Sequence, residues 1–172
     1  MHSLRASLLA ALLAAGLMGC ADPAPVATDA SADGAVVSFV AMTTLTTLNQ
    51  NCMPAVPRDP LTVMGTVSIT NTGTVPLGPI TIDRGLVVQL LGGATLATFG
   101  VTPVTIAAIA PRATGTATFT KAADSLAGDA GVAGCAIVPC GSPIRVALEL
   151  RGANVPDGAR AASEPGTLPC TQ

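Results

Sequence analysis

Cysteine is the residue type in this sequence with the widest range of chemistry, since a thiol can take a lipid, close a disulfide, bind a soft metal or act as a nucleophile. The chain of 172 residues contains five cysteines. Cys20 ends an apolar run at the start of the chain. The four others follow at wide intervals: Cys52, Cys135, Cys140 and Cys170. These two settings predict two different kinds of chemistry.

The first twenty residues have the layout of a secretory signal. A short basic stretch from His2 to Arg5 precedes an apolar run from Ala6 to Met18, as in exported proteins. A helix needs about 20 apolar residues to cross the hydrocarbon core of a bilayer, and this run is shorter. The sequence therefore predicts export and argues against a permanent transmembrane anchor.

The apolar run closes with Leu17-Met18-Gly19-Cys20, which resembles the lipobox of bacterial lipoproteins. In that motif an aliphatic residue and two mostly small residues precede the cysteine, and only Met18 departs from the pattern. The resemblance implies that a diacylglyceryl group joins the Cys20 thiol, that a peptidase removes residues 1–19, and that an acyl chain such as palmitate is often added to the new amine. Two or more acyl chains hold a protein stably on a membrane.

The position of the anchored protein is a separate question. In the enterobacterial sorting rule, an aspartate directly after the lipidated cysteine retains a lipoprotein in the inner membrane. That position is Ala21 here, with Asp22 one residue further. We therefore expect a lipid-anchored protein of the cell envelope, in the outer membrane if the organism is Gram-negative. The alternative is that Cys20 lies near a conventional cleavage site, which would release a soluble protein.

The remainder of the chain divides into a tether and one domain. Residues 20–34 are rich in Ala, Pro, Asp and Ser and have no hydrophobic period, which predicts a flexible tether. Removing residues 1–19 leaves 153 residues, enough for one domain that buries about two-thirds of its unfolded surface. We expect that domain to span residues 35–172.

The four later cysteines are an even number in an oxidising compartment, which predicts two disulfides. Four cysteines allow three pairings. If the strand at residues 144–151 pairs with the C-terminal segment, Cys140 and Cys170 lie nearly opposite, so we favour Cys140–Cys170 with Cys52–Cys135. The alternatives are a zinc site of four thiolates or a redox dithiol. Four residues separate Cys135 from Cys140, whereas both of these chemistries usually have two residues between the thiols.

Composition excludes several classes of function. His2 is the only histidine and lies in the segment predicted to be removed, which excludes Ser-His-Asp and Cys-His catalysis and histidine-ligated zinc. The mature chain would keep seven basic and ten acidic residues, a formal charge of −3, which argues against a nucleic-acid partner. Trp and Tyr are absent, so the usual aromatic platforms of sugar-binding modules and protein hot spots are missing.

Carboxylates are the main option that remains for catalysis. Asp124 and Asp129 lie in a glycine-bearing loop that could offer oxygen ligands to calcium, but the spacing is not that of an EF-hand, and a solvated loop is the expected reading. Asp83 and Glu149 are carboxylates within predicted strands. An enzyme would need a concave site that gathers at least two of six residues: Asp59, Asp83, Asp124, Asp129, Glu149 and Asp157. We expect no catalytic residue, no cofactor and no metal.

Alternation with a period of two dominates the remaining sequence and predicts strands. Residues 61–71 and 144–151 alternate most clearly, and further strands are expected at 35–45, 79–90, 94–100, 104–109 and 113–120. Gly92-Gly93 suits a tight hairpin turn, because glycine reaches positive φ freely, and Pro156-Asp157-Gly158 marks another turn. About seven short strands without an amphipathic helix predict an all-β antiparallel sandwich.

Two segments, VSITNTGTVPLGPITI and the later IAPRATGTATF, resemble bacterial Ig-like domains of cell-surface and periplasmic proteins. Those domains commonly have an Asn-Thr-Gly turn between two strands and a proline, a short spacer and a strand late in the domain. The resemblance covers about residues 35–151 and implies an Ig-like β-sandwich. The resemblance indicates little about function, because such folds serve many unrelated roles.

Threonine rows follow two of the predicted strands, at alternate positions on one face: Thr66, Ser68, Thr70 and Thr72, and Thr114, Thr116, Thr118 and Thr120. Regular rows of this kind occur on ice-binding surfaces, and exposed threonines can be O-glycosylated. Threonine is also well suited to the solvent face of any strand, which is the interpretation we favour.

Taken together, these patterns predict a membrane-anchored envelope lipoprotein whose domain is a non-enzymatic binding or structural module. Its expected partners are the membrane, through lipid on Cys20, and an envelope protein or polymer that the sequence does not identify. A carboxylate- or metal-dependent enzyme is one alternative. The other is an accessory protein that helps to assemble a surface or secretion complex by lending a strand edge.

Overall fold

The computed structural model describes residues 29–30, 35–53, 58–128 and 134–171. This part of the chain is almost entirely β-structure, arranged as a curled mixed sheet with a sandwich-like core. The all-β, sandwich-like fold expected from the alternating pattern is therefore confirmed. Cys20, the apolar run before it and most of the predicted tether lie outside the described residues.

Seven longer strands form the main path of the sheet, and short strands flank it. The bounds of the longer strands are β3 Phe39–Asn51, β4 Leu61–Asn71, β5 Ile80–Gln89, β6 Thr95–Ile106, β7 Thr114–Thr120, β8 Pro143–Glu149 and β10 Arg160–Ser163. The short ones are β1 Asp29–Ala30, β2 Val36–Val37, β9 Arg151–Gly152, β11 Gly166–Thr167 and β12 Cys170–Thr171, with a 3₁₀ turn at Gly134–Ala136. Strands β1 and β2 form a separate antiparallel pair, so two residues of the predicted tether have regular structure.

The order along the sheet is β6-β5-β8-β10-β3-β4-β7. The sheet curls so that its two end strands meet, because Val101 of β6 forms a bridge with Lys121 just after β7. We call this place, with the adjoining hydrogen bond from Ala122 N–H to Gly100 O at 2.8 Å, the seam. Within the described ranges, the strand pairs are antiparallel except for two: β10 and β12 each run parallel to β3.

Strand β4 shows how the alternating sequence becomes a core. Leu61, Val63, Val67 and Ile69 are 0–3% exposed, whereas the threonines between them face outwards. The same holds in β8, where Ile144, Val146 and Leu148 are buried. All three phenylalanines also lie in this core: Phe39, Phe99 and Phe119. Apolar burial on this scale is the main stabilising contribution to such a fold.

Two strands differ from the sequence prediction. Strand β3 continues to Asn51, six residues beyond the expected end, through an irregularity between Leu45 and Thr47 that interrupts the alternation. Strand β6 is one strand where two were expected, because Pro103 lies in a bulge between the pairs Ile82–Val104 and Arg84–Gly100. Proline is tolerated there, since a bulge leaves residues that donate no hydrogen bond to the ladder.

The predicted turns are present. Gly92 and Gly93 between β5 and β6 have φ values of +85° and +68°, which glycine adopts without steric cost. Gly158 has a φ of +76° and lies within the turn that is closed by the hydrogen bond from Ala159 N–H to Pro156 O at 3.2 Å. This second turn brings β10 antiparallel to β8, which is the pairing of residues 144–151 with the C-terminal segment expected from the sequence.

Gly85 supports the ring of Phe99 across the pair β5–β6. The two residues are opposite each other in the register, and a Cβ added to Gly85 would overlap three carbons of the ring. We expect Gly85→Ala to lower the free energy of unfolding by about 1–3 kcal/mol, since overpacking displaces a buried ring. Denaturant unfolding followed by circular dichroism measures the effect.

The matched control for this prediction is Gly166→Ala in β11, where nothing lies within 4 Å of the added Cβ. We expect that substitution to change the free energy of unfolding by less than about 0.5 kcal/mol, as is usual at surface positions. Equal effects of the two substitutions would show that the ring contact does not restrict position 85.

Candidate functional site

The outer surface of strands β3, β4 and β7 is formed by three adjacent strands in continuous register. None of the residues in these three strands is charged. We define the neutral face as the outward-facing side chains, namely Val40, Met42, Thr44, Thr62, Met64, Thr66, Ser68, Thr70, Thr114, Thr116, Thr118 and Thr120. It consists of hydroxyl groups, methyl groups and two thioethers.

The strand register aligns the neutral face into rows. Met42, Ser68 and Thr116 lie opposite one another across the three strands. The next row is Thr44, Thr66 and Thr118. Neighbouring strands are about 4.8 Å apart and alternate residues of one strand about 6.8 Å apart, so the side chains form a two-dimensional array. The threonine rows predicted from sequence are thus adjacent strands of one surface.

The neutral face also exposes large apolar side chains. Val40, Met42 and Met64 are 47%, 43% and 40% exposed. Apolar side chains grouped on one exposed surface are a common mark of an interaction site. Methionine is flexible and polarisable, and it adapts to partners of irregular shape. The face can therefore contact a neutral partner by packing and by hydroxyl hydrogen bonds.

Strands β5, β8, β9 and β10 form the charged layer of the sheet, whereas β6, which pairs with β5, has no charged residue. Arg151 donates to Asp83 Oδ2 at 3.1 Å and to Glu149 Oε2 at 3.3 Å. Arg84 and Arg160 lie 3.9 and 4.0 Å from the same glutamate. The structure therefore brings together Asp83 and Glu149, the two strand carboxylates singled out in the sequence. Both are neutralised by arginines, an arrangement typical of an ion-pair network at a surface.

The other candidate carboxylates lie at two cavities, one lined by Asp157 with Glu149 and the other by Asp124 with Asp59. Asp157 lies in a turn and lines a cavity of about 300 Å³ together with Glu149 and Arg151. Asp124 is exposed in a turn after β7, with a φ of +51°. Asp129, which was considered with Asp124 as an oxygen ligand for calcium and expected in a solvated loop, lies outside the described residues. The remaining one, Asp59, has a different environment.

Asp59 and Lys121 form a buried ion pair. Their side chains are 7% and 4% exposed, and Lys121 Nζ contacts Asp59 Oδ2 directly. In the sequence, Asp59 is only one of several candidate carboxylates, and no role was predicted for Lys121. Two features of the sequence could have indicated that Lys121 is buried. It is the one lysine in the sequence, and the alternation of Gly115, Ala117 and Phe119 places position 121 on the inward side of the strand.

The four later cysteines form two adjacent disulfides. Cys52 is bonded to Cys135 and Cys140 to Cys170, the pairing favoured from the sequence. Cys52 Sγ lies only 3.6 Å from Cys140 Sγ, so both bonds fasten one end of the sheet, where β12 lies beside β3. Three of these sulfurs lie within 4.8 Å of one another. Zinc binds thiolates, so sulfurs engaged in disulfides favour a structural role over a zinc site.

No protein-family model and no characterised protein matches this chain. The resemblance to Ig-like domains therefore stays a resemblance of sequence motifs. Within the described ranges, no helix is long and apolar enough to cross a membrane. Function has to be inferred from the chemistry of the two layers and from the motif at Cys20.

Proposed function

We propose that this chain is a lipid-anchored lipoprotein of the cell envelope whose domain is a non-enzymatic module that binds a partner through the neutral face. The observation that carries the proposal is the contrast between the two layers. Strands β3, β4 and β7 present hydroxyls and methionines without a single charge, whereas β5, β8, β9 and β10 carry Asp83, Arg84, Arg145, Glu149, Arg151 and Arg160.

A charged surface and an uncharged surface differ in how easily a partner can cover them. Charged side chains keep a surface hydrated and oppose close packing with a partner. The neutral face loses less solvation free energy when it is covered, because hydroxyl groups and thioethers are more weakly hydrated than ions. The partner that this surface fits is itself neutral, either a protein surface or an uncharged envelope polymer.

The predicted tether places the domain close to the membrane. Strand β1 begins at Asp29, so nine residues, 20–28, separate the proposed anchor from regular structure, and even fully extended they span at most about 30 Å. The domain begins at β2 and β3, so the tether joins the layer that carries the neutral face. A partner held there would be a component of the envelope near the membrane surface.

Photo-crosslinking in intact cells tests the proposal. A photoreactive amino acid at Thr118, in the centre of β7 on the neutral face, is expected to give covalent products with one main partner. The matched control is Thr105, an exposed threonine of β6 outside the neutral face, which we expect to give none. The Thr118 product should persist at high salt, because binding without charges is not screened by ions.

Two outcomes would contradict this function. Equal crosslinking from Thr118 and Thr105 would show that the neutral face has no preference for a partner. A Thr118 product that disappears at high salt would show that charged residues elsewhere bind it.

A further inference from the structure

The buried pair Lys121–Asp59 lies where the two end strands of the sheet meet. Lys121 directly follows β7, donates its main-chain N–H to Val63 O at 2.9 Å and pairs with Val101 of β6. Asp59 lies two residues before β4. The two side chains therefore connect the approach to β4 with the seam, across 62 residues of sequence.

The carboxylate of Asp59 is bound unequally at its two oxygens. Oδ2 contacts Lys121 Nζ and accepts hydrogen bonds from the main-chain N–H groups of Ser125 at 2.9 Å and Leu126 at 3.3 Å. Oδ1 is buried and has no hydrogen-bond partner among the residues that the structure describes. Two converging N–H groups on one oxygen are the arrangement that stabilises negative charge developing on a carbonyl oxygen.

We propose that Lys121 and Asp59 become joined by an intramolecular amide bond between Lys121 Nζ and Asp59 Cγ. An ammonium and a carboxylate are costly to desolvate together, and both side chains are more than nine-tenths buried, which favours their conversion to a neutral product. The fold holds the two groups in contact, which replaces an encounter in solution by a step within one molecule. The product would be an uncharged secondary amide.

The reaction balances without any other reagent. Nζ attacks Cγ and forms the C–N bond, while Oδ2 carries the developing negative charge and is held by the N–H groups of Ser125 and Leu126. The bond from Cγ to Oδ1 breaks. Two of the three ammonium protons leave with Oδ1 as water, and the third remains on the amide nitrogen. A cavity of about 240 Å³ lined by both side chains gives the water a way out.

Peptide mass spectrometry of the full-length protein tests the proposal. Because Lys121 is the only lysine, trypsin otherwise cuts this chain at arginines. After reduction of the disulfides, the amide predicts one branched product, in which residues 59–84 are joined to an uncut peptide of residues 113–145. Its mass should equal the sum of the two peptides minus one water. Without the bond, trypsin releases residues 113–121 and 122–145 separately.

Lys121→Arg is the matched variant, since arginine keeps the positive charge beside Asp59 and its guanidinium is a poor nucleophile. We expect this variant to show no loss of water and no branched peptide. A second readout is the denatured wild type, whose single lysine should not react with an amine-specific reagent.

Recovery of residues 113–121 as a free peptide from the folded wild-type protein would overturn the proposal. So would a digest with no branched peptide in which only residues 59–84 have lost water, because Asp83 can dehydrate on its own main chain, whereas Asp59 precedes Pro60 and has no following N–H for that reaction. Reaction of the lysine with the amine reagent in the denatured wild type would overturn it as well. These readouts concern only the seam, so they are independent of whether the neutral face binds a partner.

Discussion

Replacing Cys20 by alanine is expected to leave the protein as an unprocessed precursor that is no longer held on the membrane by lipid. The reason is chemical, because the diacylglyceryl group needs a thiol and alanine has none. The effect should be close to all-or-none, since two or more acyl chains supply the whole anchoring free energy and each buried methylene contributes about 0.8 kcal/mol. Cell fractionation and mass spectrometry of the N-terminal peptide measure it.

The control for the anchor is Met18→Ala, which brings the motif closer to the usual lipobox and should leave processing and membrane retention intact. A Cys20→Ala protein that stays in the membrane fraction, together with a wild-type N-terminal peptide that carries no lipid, would contradict the anchor. A protein that is cut elsewhere and released would instead support the conventional signal peptide considered above.

Removing the Cys52–Cys135 disulfide is expected to have the largest effect on stability. The bond links residues 83 positions apart, whereas Cys140–Cys170 spans 30. In the chain-entropy description a longer loop restricts the unfolded chain more, giving about 4.5 kcal/mol for the first bond and about 3.6 kcal/mol for the second. Replacing Cys52 and Cys135 by alanine should therefore lower the free energy of unfolding more than replacing Cys140 and Cys170.

Denaturant unfolding of the two double-alanine variants provides the comparison. Circular dichroism is the suitable signal, because the sequence contains no Trp or Tyr. Each pair is replaced together, which prevents a leftover thiol from attacking the adjacent disulfide only 3.6 Å away. The reverse order of stability would show that folded-state contacts at the two bridges outweigh the length of the loops.

Much of the fold could be predicted because alternation records which side of a strand faces the core. The bounds of β4 at residues 61–71 match the prediction at both ends. The turn at Gly92-Gly93 was predicted because glycine reaches positive φ freely, and both residues have positive φ in the structure. The pattern failed where a bulge breaks the alternation, as between Leu45 and Thr47 in β3.

Pairing between strands that are distant in the sequence could not be predicted in this way. The parallel contacts of β10 and β12 with β3 leave no local signal, because alternation is the same for parallel and antiparallel neighbours with one buried face. The arrangement of the candidate site could not be predicted from the sequence for the same reason. The threonine rows were visible in β4 and β7, but their alignment with Met42 and Thr44 of β3 depends on the register of three strands.

By itself, the sequence determined the strand class of the fold and the inward and outward sides of the clearest strands, because these depend on the local period of the side chains. It also predicted the anchor at Cys20, which lies outside the described residues. Only the tertiary structure decided that the uncharged strands β3, β4 and β7 lie side by side and that Asp59 meets Lys121 at the seam. Such contacts depend on how the sheet curls, and side-chain alternation carries no information about curvature.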